Sequence, residues 1–146
     1  MLDHPLPDID AWALFFSNNG LPILRVTKRR IEEMRTNLDR VDARELARVI
    51  LQDPIMTVRV LAFTQPMRGR SLQRDITTIA SSVVMAGIEP FFNHFSELFT
   101  IEDQLKGASS HALLGVLQIV RRSQRAADYA QDWAVWRHDV NMEEVR

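Results

Sequence analysis

The sequence predicts an all-α protein, and three observations carry that reading. Glycine is sparse, with 5 in 146 residues. Apolar residues recur at helical spacing along most of the chain, and no run alternates as a half-buried strand does. Cap and stop residues punctuate the apolar segments at intervals that suit helices. The length suffices for one domain with a real hydrophobic core. Residues 1–146 read as a single helical domain, with an N-terminal part over about 8–100 and a long helix over about 109–137.

The elements follow in order. Asp8 caps a first helix bearing Ile9, Trp12, Phe15 and Phe16, and Asn19-Gly20 supplies a left-handed stop. An extended piece, Leu21-Pro22-Ile23-Leu24, comes next. Thr27 is expected to cap a second helix with Ile31, Met34 and Leu38 on one face. Asp42 and Glu45 form a capping box for a third, carrying Leu46, Val49 and Ile50. Asp53-Pro54 places a cap and a first-turn proline before a fourth helix through Ile55, Val58, Leu61 and Ala62. Gln65 to Asp75 is polar, with Pro66 and Gly69, and reads as a loop.

Thr77 or Thr78 opens a fifth helix through Ile79, Val83 and Val84, which Gly87 stops. Glu89-Pro90 opens a sixth, with Phe91, Phe92, Phe95, Leu98 and Phe99, the four phenylalanines forming one apolar row expected to pack in the core. After Gly107, Ser109 or Ser110 caps the long helix. Its polar stripe is Gln118, Arg121, Arg125, Asp128 and Asp132. Its apolar side holds Leu113, Leu117, Val120, Ala127, Ala130 and Ala134, where the small alanines invite the close approach of another helix. Asn141 and Glu144 give one more helix start, with Met142 and Val145 as its first apolar residues. The expectation from that unfinished helix is a C-terminally incomplete fragment or a chain whose core a partner completes, with a frayed, exposed terminus as the alternative. Leu46, Ile50, Val60, Leu61, Ile79 and Val83 are the expected core of one helical unit.

Composition narrows the function. Apolar residues make up 46% and charged residues 25%, and the formal net charge is −1. A surface built to bind nucleic acid or anionic membrane carries a positive excess, so neither partner is expected. The chain has no cysteine. Disulfides, zinc–thiolate sites, iron–sulfur clusters and a thiol nucleophile are therefore excluded. The opening MLDHPLPDID lacks the basic and apolar stretches of a signal peptide. No apolar run approaches the ~18 residues of a membrane span. The expected location is the cytoplasm.

The order of the pieces from Leu21 to Phe92 has a counterpart. Leu21-Pro22 precedes the second helix, DARELARVILQDPIMTVRVLAF runs from Asp42 to Phe63, and DITTIASSVVMAGIEPFF runs from Asp75 to Phe92. This resembles the HDOD family, bacterial signal-transduction relatives of the HD phosphohydrolases. Its pattern is a proline-marked lead-in, a helix, an Asp-Pro start, a variable loop and a stretch ending in glycine, where Ile79, Ser82, Val83 and Gly87 fall. Thr64-Gln65-Pro66 departs from the small and tyrosine-rich residues more common there. The resemblance implies a multi-helix HDOD/HD-like bundle, possessed of a regulatory role beside other signalling domains.

Candidate chemistry is thin. In HD phosphohydrolases an adjacent His and Asp bind a divalent metal with a second His upstream, which would recruit His111, His138 and Asp139 here. Against that, no Asp lies far enough downstream of His138-Asp139, and the dipeptide sits in a turn-like setting. His94 lies among phenylalanines and reads as a packing residue. No serine sits in a glycine-flanked elbow, and no glycine loop cradles phosphate. Arg121, Arg122 and Arg125 continue into Asp128 and Asp132 as a solvated face with intrahelical pairing. Arg68, Arg70 and Arg74 share one polar segment and suit a phosphate or acidic partner. Trp133 and Trp136 offer large rigid contact area.

These readings converge on a non-catalytic signalling domain with no catalytic residue, no bound metal and no cofactor. It would act on a protein partner, an adjacent signalling domain, a small ligand or a second copy, through Arg68, Arg70, Arg74, Trp133 and Trp136. A metal-dependent HD-type phosphohydrolase is the alternative, and a helical nucleic-acid-binding module the third.

Overall fold

The computed structural model describes the backbone of residues 4–5, 7–11, 20–68 and 78–138, and their side chains except at 66–68. Every regular element among them is helical: α1 Arg25–Arg35, a 3-10 turn Leu38–Arg40, α2 Ala43–Leu51, α3 Pro54–Arg68, α4 Ile79–Ala86, α5 Ile88–His94, α6 Ile101–Gln104 and α7 Ser110–Trp136. The one β-type contact among the described residues is an isolated parallel bridge between Ile23 and Thr100. The fold is all-α, as the helical periodicity and cap signals require.

Local signals set most boundaries. Asp8 accepts from the Ala11 amide at 2.7 Å, and Gly20 takes a left-handed φ of 59°. Asp42 caps α2 by accepting from the Arg44 amide, and Thr78 caps α4 by accepting from the Ser81 amide. Gly87, at φ 83°, both ends α4 and starts α5. An L side chain there would be strained, and its Cβ would stand 3.3 Å from the Pro90 ring.

The start of α1 departs from expectation. Thr27 does not cap it: the helix begins at Arg25, and Thr27 is buried inside its first turn. The free amides at this end find distant partners instead. Leu24 N–H donates to Asp53 Oδ2 at 2.7 Å, and Arg25 N–H donates to the Glu102 carboxylate at 3.0 and 3.2 Å. Asp53 is fully buried, and its other oxygen caps α3 by accepting from the Ile55 and Met56 amides at 3.0 and 3.1 Å. One carboxylate thus starts one helix and tethers another. The bridge completes the seam: Ile23 N–H donates to the Phe99 carbonyl and Ile101 N–H to the Ile23 carbonyl, each at 2.9 Å.

The main core lies among α1 to α5. Phe91, Phe92 and Phe95 are fully buried or nearly so, with ring centroids 4.8 Å apart for Phe91–Phe95 and 5.5 Å for Phe91–Phe92. Leu46, Ile50, Val60, Ile79 and Val83 pack in the same cluster. Leu61 is only half-buried, and Val58 and Ala62 face solvent. The inward stripe of α3 is Met56, Val60 and Thr64, because apolar residues surround this helix and its sequence does not fix which side turns in. Phe99 also leaves the expected row. The chain is extended there, so Leu98 and Thr100 turn in while Phe99 turns out.

The segment expected to loop from Gln65 is partly helical, since α3 runs on to Arg68. Pro66 lacks the N–H for one ladder bond, near the end of α3. A smaller cluster of Leu24, Ile101 and Val120 seats α7, with Leu113, Val116 and Leu117 packed against it. No helix among the described residues is long and apolar enough to cross a membrane.

Candidate functional site

Helix α7 has 27 residues, and its two long sides differ in kind. Leu113, Val116, Leu117 and Val120 fall on one side at 100° per residue and cover the small cluster. Gln124 then donates to the Gln52 carbonyl, and Ala134 is buried further along. The alanine-bearing side is therefore the side that the chain itself occupies, with Ala127 and Ala130 half-buried. It is not the open face that its small residues suggested.

The opposite side carries the large residues. Tyr129, Trp133 and Trp136 are 68%, 66% and 78% exposed. Their spacing of four and three places them on one stripe, and the two indole rings stand 6.3 Å apart edge to face. Ile119 is exposed farther up the same side. Trp133 and Trp136 thus lie together. Tyr129 was missed, although its spacing to both tryptophans was visible. Arg121 and Arg125, followed by Asp128 and Asp132, flank the stripe, Arg122 lies on its line, and all five are exposed. None of these five makes an ion pair among the described residues.

The arginine segment is only partly placed. Arg68 closes α3, while its side chain and both Arg70 and Arg74 lie outside the described residues. A cleft of about 340 Å³ opens where α2, the start of α4 and α7 meet, lined by Arg44, Arg48, Leu51, Thr78 and Gln131.

The histidines do not converge. His111 is exposed in the first turn of α7, and His138 is exposed just past its end, in a left-handed turn at φ 57°. A helix of that length holds them about 40 Å apart at about 1.5 Å per residue. Asp139 lies outside the described residues. Among the described residues no three His, Asp or Glu side chains come close enough to hold a metal ion. His94 stacks on Phe63 at 4.0 Å and meets Phe95 edge-on at 4.7 Å. Partial burial, then the charge of Arg59, push its imidazole below its ordinary pKa.

Arg59 links this group to the tether. It donates to the Leu21 carbonyl at 2.7 Å and lies over the Phe95 ring. Burial lowers its pKa and the nearby Asp53 charge opposes that shift. At the other end of the seam, the Thr100 hydroxyl and then Arg25 hold the Asp103 carboxyl below the usual carboxylate range. These groups hold segments together.

Neither a curated protein nor a solved structure matches the chain. The HDOD domain family matches it over residues 21–143. That span runs from the tethered lead-in, through the Asp53-Pro54 start of α3, to beyond the end of α7, and the chain belongs to the HDOD family.

Proposed function

We propose that this chain is a non-catalytic regulatory domain of a cytoplasmic signalling protein, and that it acts by docking a protein on the outer face of α7. The observation that carries this reading is the stripe of Tyr129, Trp133 and Trp136, held outward on a helix whose other side is anchored. Three large rings left in water on a rigid support are the usual content of a protein-binding surface rather than of a monomer's free surface. Membership of a family related to the HD phosphohydrolases raises the question of hydrolysis. The separation of His111 from His138 supports a regulatory role over a metal-dependent one.

Two measurements test it. Purified protein supplied with manganese and simple phosphomonoester and phosphodiester substrates is expected to show no turnover. Turnover that His138→Ala abolishes would overturn the reading in favour of an HD-type hydrolase. In the intact signalling protein, Trp133→Ala with Trp136→Ala is expected to abolish output without moving the thermal midpoint. Unchanged output would remove the docking face.

A further inference from the structure

The outer face of α7 has an order that says what docks there. Ile119, Arg122, Ala126, Tyr129, Trp133 and Trp136 follow one another by alternating steps of three and four, and all are exposed. That is the repeat of a helix seam made to pack against another helix. The seam is lopsided. Its first half offers an isoleucine, a cation and an alanine, and its second half offers three aromatic rings. The flanking charge is lopsided in the same direction: Arg121 and Arg125 come first, and Asp128 and Asp132 follow.

A parallel pair of such helices would set ring on ring, arginine on arginine and aspartate on aspartate. An antiparallel pair does the reverse in a single register. Trp136 then meets Ile119 of the second copy, Trp133 meets Arg122, and Tyr129 meets Ala126. Each layer joins a large ring to a smaller side chain, and one places a guanidinium on an indole. In the same register Arg125 of each copy comes alongside Asp132 of the other, which gives partners to charges that have no ion pair among the described residues. The body of each molecule lies on the far side of its own α7, so the two bodies do not collide. The six rings carry roughly 1,000 Å² of side-chain surface, on the order of what separates a specific interface from a casual contact.

We propose that two copies of this chain associate through this face as an antiparallel helix pair, with the two-fold axis at the level of Ala127 and Asp128. The inference rests on the docking reading and names the partner as a second copy. Such a pairing is closed and self-complementary, so it stops at two.

The absence of native cysteine makes the geometry directly readable. Sedimentation at micromolar concentration is expected to give a dimer, and Trp133→Ala with Trp136→Ala a monomer of unchanged helicity. Arg125→Asp is expected to weaken the dimer about a hundredfold, because the two-fold pair holds two such charge pairs at about tenfold each, and adding Asp132→Arg to restore it. Ile119→Cys combined with Trp136→Cys is expected to yield a disulfide-linked dimer on oxidation, whereas Ile119→Cys alone yields none. Cross-linking of Ile119→Cys alone would show a parallel pair and overturn the proposal. A monomer at all concentrations would overturn it as well. If that monomer still loses signalling output in the double tryptophan variant, the docking face stands and its partner is another protein.

Discussion

The body formed by α1 to α5 and the long helix α7 are joined to the chain in different ways. In the body, residues from every helix meet around three buried phenylalanine rings, and the lead-in at Ile23 is drawn into the same cluster. Helix α7 rests on a cluster with only Leu24, Ile101 and Val120 fully inside. The body therefore hides its largest side chains, while α7 turns its own outward. A helix held along one narrow strip is a rigid mount for whatever its other side displays, and it depends on the body far more than the body depends on it.

The largest effect should come from the ring cluster. Phe91→Ala is expected to cost about 4 kcal/mol, since a buried ring leaves a cavity that a tightly packed core cannot close. Urea denaturation measures it, and a loss below about 1 kcal/mol would show that the body is not the sealed unit described. Asp53 comes next. Asp53→Ala removes the α3 cap and leaves the Leu24 amide without its acceptor, at an expected cost of about 3 kcal/mol. Asp53→Asn keeps an oxygen for the cap but turns an amide donor toward Leu24 N–H, and is expected to cost about half as much. Equal costs would mean that the tether contributes nothing.

Val120→Ala probes the strip itself. Removing two methyl-sized groups at about 0.8 kcal/mol each should cost about 1.5 kcal/mol. Hydrogen exchange is expected to show that loss in α7 before it shows in α2 or α3, and uniform loss would erase the contrast between the two regions.

The smallest effect is electrostatic. The folded state holds the His94 pKa below its ordinary value of about 6.5. In the window between the two, the unfolded chain carries more protons, so stability rises with pH and falls as acid is added. The thermal midpoint is expected to drop slightly from neutral pH downward through the imidazole range. His94→Gln should flatten that slope, and an unchanged slope would assign it to other groups.

What the sequence revealed depended on how far each cause reaches along the chain. Asp42, Asp53, Thr78 and Gly87 act on residues two to four positions away, and each was legible as a cap or a stop. Thr27 misled because the true partners of the α1 terminus lie 29 and 77 residues on. Leu61 was read as core because α3 is apolar on several sides, so its rotation is decided by the neighbours it packs against. Phe99 looked helical until the bridge to Ile23 drew that stretch out straight. On α7 the same ambiguity hid the site's orientation. Both sides carry apolar residues, and only the packing of Val120 and its neighbours reveals that the aromatic side is the free one.

The long-range capping of α1 has a consequence for the order of events during synthesis. The amides of Leu24 and Arg25 wait for acceptors that leave the ribosome much later, Asp53 first and Glu102 well after it. Until then the first turn of α1 has no side-chain cap of its own, and a short helix without one frays in water. The nascent chain thus closes its N-terminal seam in two stages. A pulse of hydrogen exchange on ribosome-stalled chains should find the Leu24 amide open before Asp53 emerges, and the Arg25 amide open until Glu102 has followed.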